Sequence, residues 1–128
     1  MILTSLVEKR DKNQKSLSIL IDPDKIPNEK SLERVLKISD RHQVDFLFIG
    51  GSLLINDNLS NTVRYIKLHS EIPVVLFPGS NLHIDKSADA ILFLSLISGR
   101  NPELLIGQHV IAAPLIKKSK LEVLPTGY

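Results

Sequence analysis

The chain has 128 residues, 43% of them hydrophobic and 23% charged, which is the composition of one folded domain rather than of a disordered segment. Sixteen basic against 14 acidic residues leave a formal charge of +2, so charge offers no ground for a nucleic-acid partner. Cysteine is absent, which excludes disulfides, thiolate metal sites and cysteine nucleophiles.

The first residues, MILTSLVEKRDKNQK, lack the apolar length and charge order of a signal peptide. No stretch reaches the roughly 20 apolar residues of a membrane-spanning helix, and the expected compartment is the cytoplasm. The first strand signal is Leu17–Ile21, ending abruptly in Asp22-Pro23-Asp24-Lys25. A helical period follows over Ser31–His42, where Leu32, Val35, Leu36 and Ser39 share a face. A second strand is expected at Val44–Ile49 and a second helix at Ser60–Ser70, with Val63, Ile66 and Lys67 on one side.

Val74–Phe77 and Ala90–Leu96 read as further strands, and Leu121–Leu124 as a fifth. The intervening Pro78–Ser87 is short and suits a loop with one or two helical turns. Asn101-Pro102-Glu103 reads as a helix start, with a cap, a proline at the first position and an acid in the first turn. That helix would run through Leu104, Leu105 and Gln108 towards His109. Alternating strands and helices, with strands apolar on both faces, predict a parallel α/β sheet.

Small and polar residues follow each strand: Asp22 to Lys25, Gly50-Gly51-Ser52, Pro78-Gly79-Ser80, Ser98 to Asn101, and Pro125 to Tyr128. Strand entries such as Asn13–Ser16 and Glu71–Pro73 lack that signature. In a parallel sheet the carboxyl ends share one face, and α/β folds bind ligands there. The candidate ligand contacts are Lys25, Gly50, Gly51, Ser80, Ser98 and Asn101. Turn formation is the competing reading for each cluster taken alone.

Asp22 carries the sharpest expectation. An acid directly behind an apolar strand is partly desolvated unless it is paired or bound to a cation. It can cap the following turn, or it can bind Mg²⁺ together with Ser52, phosphate oxygens completing the shell. Lys25 is either a phosphate contact or a solvated loop lysine. The four histidines, His42, His69, His83 and His109, show no ligand spacing and read as ordinary helix or loop residues.

The segments LIDPDK, FIGGS, VVLFPGS, LFLSLISGRNPELLIGQHV and EVLPTGY, in this order from Leu17 to Tyr128, resemble the geranylgeranylglyceryl phosphate synthase family, and more narrowly its bacterial branch related to heptaprenylglyceryl phosphate synthase. The resemblance implies a (β/α)₈ TIM barrel and Mg²⁺-dependent prenyl transfer. In that family the 3-hydroxyl of sn-glycerol 1-phosphate attacks C1 of a long prenyl diphosphate, and diphosphate leaves. It further implies Asp22 as the magnesium ligand and Ser52 as the second position of that site, with apolar barrel walls around the prenyl tail.

A whole barrel takes about 200 residues or more. Residues 1–128 are therefore expected to be the N-terminal half of a TIM-barrel prenyltransferase domain, with four to five parallel strands, truncated after the PTGY motif. The family's late glycerol-phosphate segment, a Tyr-Leu-Glu-type strand with Gly-rich loops, is absent from the sequence. A half-barrel leaves strand edges and an apolar inner face open, so a homo-oligomer is expected. The alternative to an enzyme is a non-catalytic, self-associating half-barrel. Peripheral membrane contact through the lipid product completes the expectations.

Overall fold

Short runs of branched apolar residues form the five strands of a computed structural model that describes residues 1–51, 58–80 and 83–128. They are β1 (Ser18–Ile21), β2 (Phe46–Ile49), β3 (Val74–Leu76), β4 (Ala90–Ser95) and β5 (Glu122–Gly127). All pair in parallel, in the order β1-β2-β3-β4-β5. Strict sequential order is the barrel pattern; a doubly wound sheet reverses order at a switch point. The register sets Ile21 beside Ile49 and Ile49 beside Leu76, which aligns the carboxyl ends of the first three strands.

The two-residue strand period sorts side chains into two layers. Leu47, Ile49, Val74, Leu76 and Ile91 face the helices and pack with Leu32 and Leu36 of α2 (Glu29–Arg41), Val63 and Ile66 of α3 (Asn58–His69), and Ala112 and Ile116 of α4 (Gly107–Ser119). Phe46, Val75, Ala90, Leu92 and Leu124 form the opposite layer. This is a helix-covered outer layer and a barrel-type inner layer.

The inner layer is joined by Ile2 of a further helix, α1 (Ile2–Asp11). Glu122, at the start of β5, accepts hydrogen bonds from the N–H groups of Ile2 (2.7 Å) and Leu3 (2.9 Å). Its carboxylate thus satisfies two free donors at the positive end of that helix. At the other end, Lys9 pairs with Asp45, whose second oxygen accepts the Leu17 N–H at 2.8 Å. The N-terminal segment, read from the sequence only for targeting signals, is therefore a docked helix. Its pattern is faint because Ile2 is its one buried residue.

Other boundaries moved for local reasons. Asn28 caps α2 by accepting the Ser31 N–H at 2.9 Å, so this helix begins before Ser31. Lys67 does not join the apolar face of α3; its ammonium reaches Asp89 at 2.8 Å. Asn101 caps only a 3₁₀ turn, Pro102–Leu104, and the helix proper starts at Gly107 and continues through Pro114 to Ser119. The missing N–H of Pro114 leaves the carbonyl of exposed Val110 without its helical partner. The β3–β4 connection has no helix among the described residues, only a turn at Lys86-Ser87. No helix among the described residues is long and apolar enough to cross a membrane.

Candidate functional site

β1 ends at Asp22, whose backbone is extended and whose Oδ1 accepts the Asp24 N–H at 3.1 Å, capping a 3₁₀ turn over Pro23–Lys25. The carbonyl of Asp22 accepts the Lys25 N–H at 3.0 Å. The Lys25 ammonium lies 3.6 Å from Asp22 Oδ2, with the lysine side chain exposed and the aspartate mostly covered. The turn therefore fixes the carboxylate through one oxygen and leaves an exposed cation beside the other. Both sequence readings of Asp22, cap and ligand, are compatible with this geometry because a carboxylate oxygen has more than one lone pair.

β2 ends in two glycines with different constraints. Gly50 donates its N–H to the Ile21 carbonyl at 3.1 Å, and a Cβ built on it would stand 1.9 Å from the Phe77 carbonyl oxygen. Only glycine fits so close a backbone approach. A Cβ on Gly51 would lie 3.1 Å from Cγ and from both oxygens of Asp22. The Asp22 carboxylate thus rests over a bare backbone, in a cradle that a side chain would fill.

β3 ends with Phe77 donating its N–H to Ile49 (2.9 Å), followed by Pro78, Gly79 and Ser80. Gly79 donates its N–H to Nδ1 of His83 at 3.2 Å, and His83 donates its own N–H to the Ser80 carbonyl at 3.1 Å. Burial pushes the His83 imidazole below its ordinary value, while the Asp24 carboxylate pulls the other way.

An apolar cavity of about 730 Å³ opens beside these loops. Leu20, Phe77, Leu92, Phe93 and Leu94 line it from the strands, Gln108, His109, Ala112 and Ile116 from α4, and Gly50, Gly51, Gly79 and Ser80 from the strand ends. Tyr128 contributes as well. His109 stacks on Phe93 with 4.5 Å between ring centres and donates from Nε2 to the Leu94 carbonyl at 2.6 Å. That bond requires a proton on Nε2, because a carbonyl has no proton to give.

Five of the eight candidate residues, Asp22, Lys25, Gly50, Gly51 and Ser80, are described at the ends of the first three strands. Lys25 and Gly51 lie against the Asp22 carboxylate, Gly50 abuts the Phe77 backbone, and Gly50, Gly51 and Ser80, though neither Asp22 nor Lys25, line the cavity. Ser52 lies outside the described residues. Ser98 and Asn101 stand apart from this group: Ser98 donates its N–H to the Tyr128 carbonyl (3.0 Å), Asn101 accepts the Glu103 N–H (3.1 Å), and neither lines the cavity. The sequence reading did not single out His83 or the cavity-lining Phe77. The available signal was a histidine four positions after the strand-end Gly79.

The donor set around Asp22 suits Mg²⁺. Among the described residues no three His, Asp or Glu side chains cluster closely enough to enclose a cation. Mg²⁺ characteristically takes one or two carboxylates and fills its octahedron with water and substrate phosphate oxygens. A single carboxylate over a glycine cradle is compatible with such a donor set.

The model of the PcrB family matches residues 10–128. The chain is 50% identical over 127 residues to the geranylgeranylglyceryl phosphate synthase of Chitinophaga pinensis, covering 99% of this chain and 50% of that protein. It is 49% identical over 126 residues to the same enzyme of Spirosoma linguale, covering 98% and 50%. The crystal structure of (S)-3-O-geranylgeranylglyceryl phosphate synthase from Thermoplasma acidophilum, in complex with sn-glycerol-1-phosphate, superposes with a TM-score of 0.90 at 32% identity, over 100% of this chain and 51% of that one. The chain spans about half the length of the curated relatives it matches.

Proposed function

The chain belongs to the PcrB family, and on that premise we propose that it carries the cation- and diphosphate-binding part of a prenyltransferase. The reaction is transfer of a geranylgeranyl or longer prenyl group from its diphosphate to the 3-hydroxyl of sn-glycerol 1-phosphate, a step of ether-lipid synthesis. The observation that carries this reading is the Asp22 carboxylate packed over Gly51, a residue that also lines the apolar cavity. One end of a prenyl diphosphate is multiply charged and the other is hydrocarbon, and this site offers a matching pair of environments.

Asp22 would hold the cation, with Ser52 as its second protein oxygen. Bound Mg²⁺ supplies charge neutralisation to a departing diphosphate. The exposed Lys25 ammonium would accompany the diphosphate oxygens, and the N–H groups around Gly51 and Ser80 would donate to them. Leu20, Phe77, Leu92 and Leu94 exclude water from the apolar tail and hold its reactive carbon near the strand ends.

A second reading has its own observation. Among the described residues β1 and β5 are each paired on one side only, and Leu20, Phe77 and Val123 are at least 37% exposed. Open strand edges beside exposed apolar side chains favour self-association. A homo-oligomeric half-barrel and a prenyltransferase site are compatible, and donor binding separates a catalytic part from a purely structural one.

The test is titration of geranylgeranyl diphosphate into the purified chain by calorimetry, with and without Mg²⁺. Saturable binding that requires Mg²⁺ is the expected result. A folded chain that binds no donor would overturn the enzymatic reading and leave the structural one. Formation of geranylgeranylglyceryl phosphate on adding sn-glycerol 1-phosphate would extend the proposal to the acceptor.

A further inference from the structure

The segment that leaves β3 is held at two points. Upstream, Phe77 donates to Ile49 at 2.9 Å and its carbonyl abuts Gly50 so closely that no Cβ fits between them. Downstream, the Gly79 N–H ends on Nδ1 of His83 (3.2 Å), and the His83 N–H returns to the Ser80 carbonyl (3.1 Å). Gly79 and Ser80 line the cavity between these two anchors. Without the imidazole, Gly79 would have a free N–H and a backbone with glycine's full conformational range.

We propose that His83 is the positioning residue of this site: its neutral imidazole holds the Gly79–Ser80 backbone in the shape that receives the diphosphate of the donor. The inference deepens the prenyltransferase reading and rests on it. Nδ1 can accept the Gly79 N–H only while it carries no proton, so the ring must be the Nε2–H tautomer, and an imidazolium would turn a hydrogen bond into a donor–donor clash. The half-buried setting favours the neutral ring. Among the described residues, the charged group facing the ring is the Asp24 carboxylate of the β1 loop, which opposes that preference.

The tests compare wild type, His83→Ala and His83→Asn. Asparagine restores an acceptor oxygen but does not titrate. With Mg²⁺ present, His83→Ala is expected to bind geranylgeranyl diphosphate roughly fivefold more weakly, the worth of about one neutral hydrogen bond, and His83→Asn to recover most of the loss. As pH falls through the His83 titration, wild-type affinity should drop relative to His83→Asn. In the ligand-free chain, the amide resonance of Gly79 should shift with the same pH dependence, and should cease to do so in His83→Asn. Wild-type affinity in His83→Ala, or a Gly79 amide indifferent to His83, overturns the proposal. If the Gly79 amide follows His83 but wild type binds no donor at any pH, the contact stands while the donor-site reading fails, and the proposed role fails with it.

Discussion

The backbone of Gly50 meets the backbone of Phe77 where β2 and β3 end: a Cβ on Gly50 would be 1.9 Å from the Phe77 carbonyl oxygen and 2.8 Å from its carbon. The obstacle is backbone, not the far end of a flexible side chain, so it cannot swing aside. Gly50→Ala must therefore separate two strand ends that are also joined through Phe77 N–H and the Ile49 carbonyl. Overpacking of this kind costs roughly 1–3 kcal/mol. The urea midpoint should fall accordingly, and an unchanged midpoint would show that the two loops are free to part.

Gly51 behaves differently. The three atoms nearest its hypothetical Cβ among the described residues are those of the Asp22 carboxylate, each at 3.1 Å. A side chain can give by a few tenths of an ångström, so Gly51→Ala should cost little stability. It should nonetheless move the carboxylate and weaken Mg²⁺-dependent donor binding. Loss of folding without selective loss of binding would contradict this division between the two glycines.

Glu122 ties the first helix to the last strand through the N–H groups of Ile2 and Leu3. Glu122→Ala leaves two helix-terminal donors to solvent and removes a favourable charge, a loss of about 1 kcal/mol. Amide exchange across residues 2–11 should accelerate more than exchange in β2 or β3. Uniform exchange rates would mean that α1 is held by its apolar contacts alone.

Asp45 provides a pH prediction. The hydrogen bond from Lys9, followed by that from the Leu17 N–H, holds its carboxyl below the ordinary value of 3.8. A depressed folded-state pKa contributes stability that is fully present above the ordinary value and disappears as pH falls through the folded one. Wild type should therefore exceed Asp45→Asn in urea midpoint near neutrality, and the gap should close in acid below 3.8. A gap that persists in strong acid would show that the charge on Asp45 contributes nothing to stability.

The parallel sheet was legible because β2, β3 and β4 are apolar on both faces, which alternation-based antiparallel strands are not, whereas the sequential barrel order was implied only by the family resemblance. β5 was read too short: its outer half, Pro125 to Gly127, carries turn residues, and only pairing with Phe93, Leu94 and Ser95 of β4 makes it a strand. Asn101-Pro102-Glu103 is a sound helix start locally, yet it opens a 3₁₀ turn, and α4 begins again at Gly107. Asp22, Gly50 and Gly51 were visible as strand-end residues. The pairing of Gly51 with Asp22 was not, because it depends on how two separate strand ends align. His83 was passed over as an ordinary loop residue for a similar reason: its significance lies in the turn that brings its ring back to Gly79.

The central claim is that the Asp22 carboxylate anchors a cation through which the diphosphate is bound. Its most direct test is calorimetric titration of geranylgeranyl diphosphate, with and without Mg²⁺, into wild type and Asp22→Asn, both shown to be folded. Asparagine can still cap the turn at Asp24 but lacks the negative charge. The account predicts Mg²⁺-dependent binding in wild type and its loss in Asp22→Asn; full Mg²⁺-dependent binding by Asp22→Asn would contradict it.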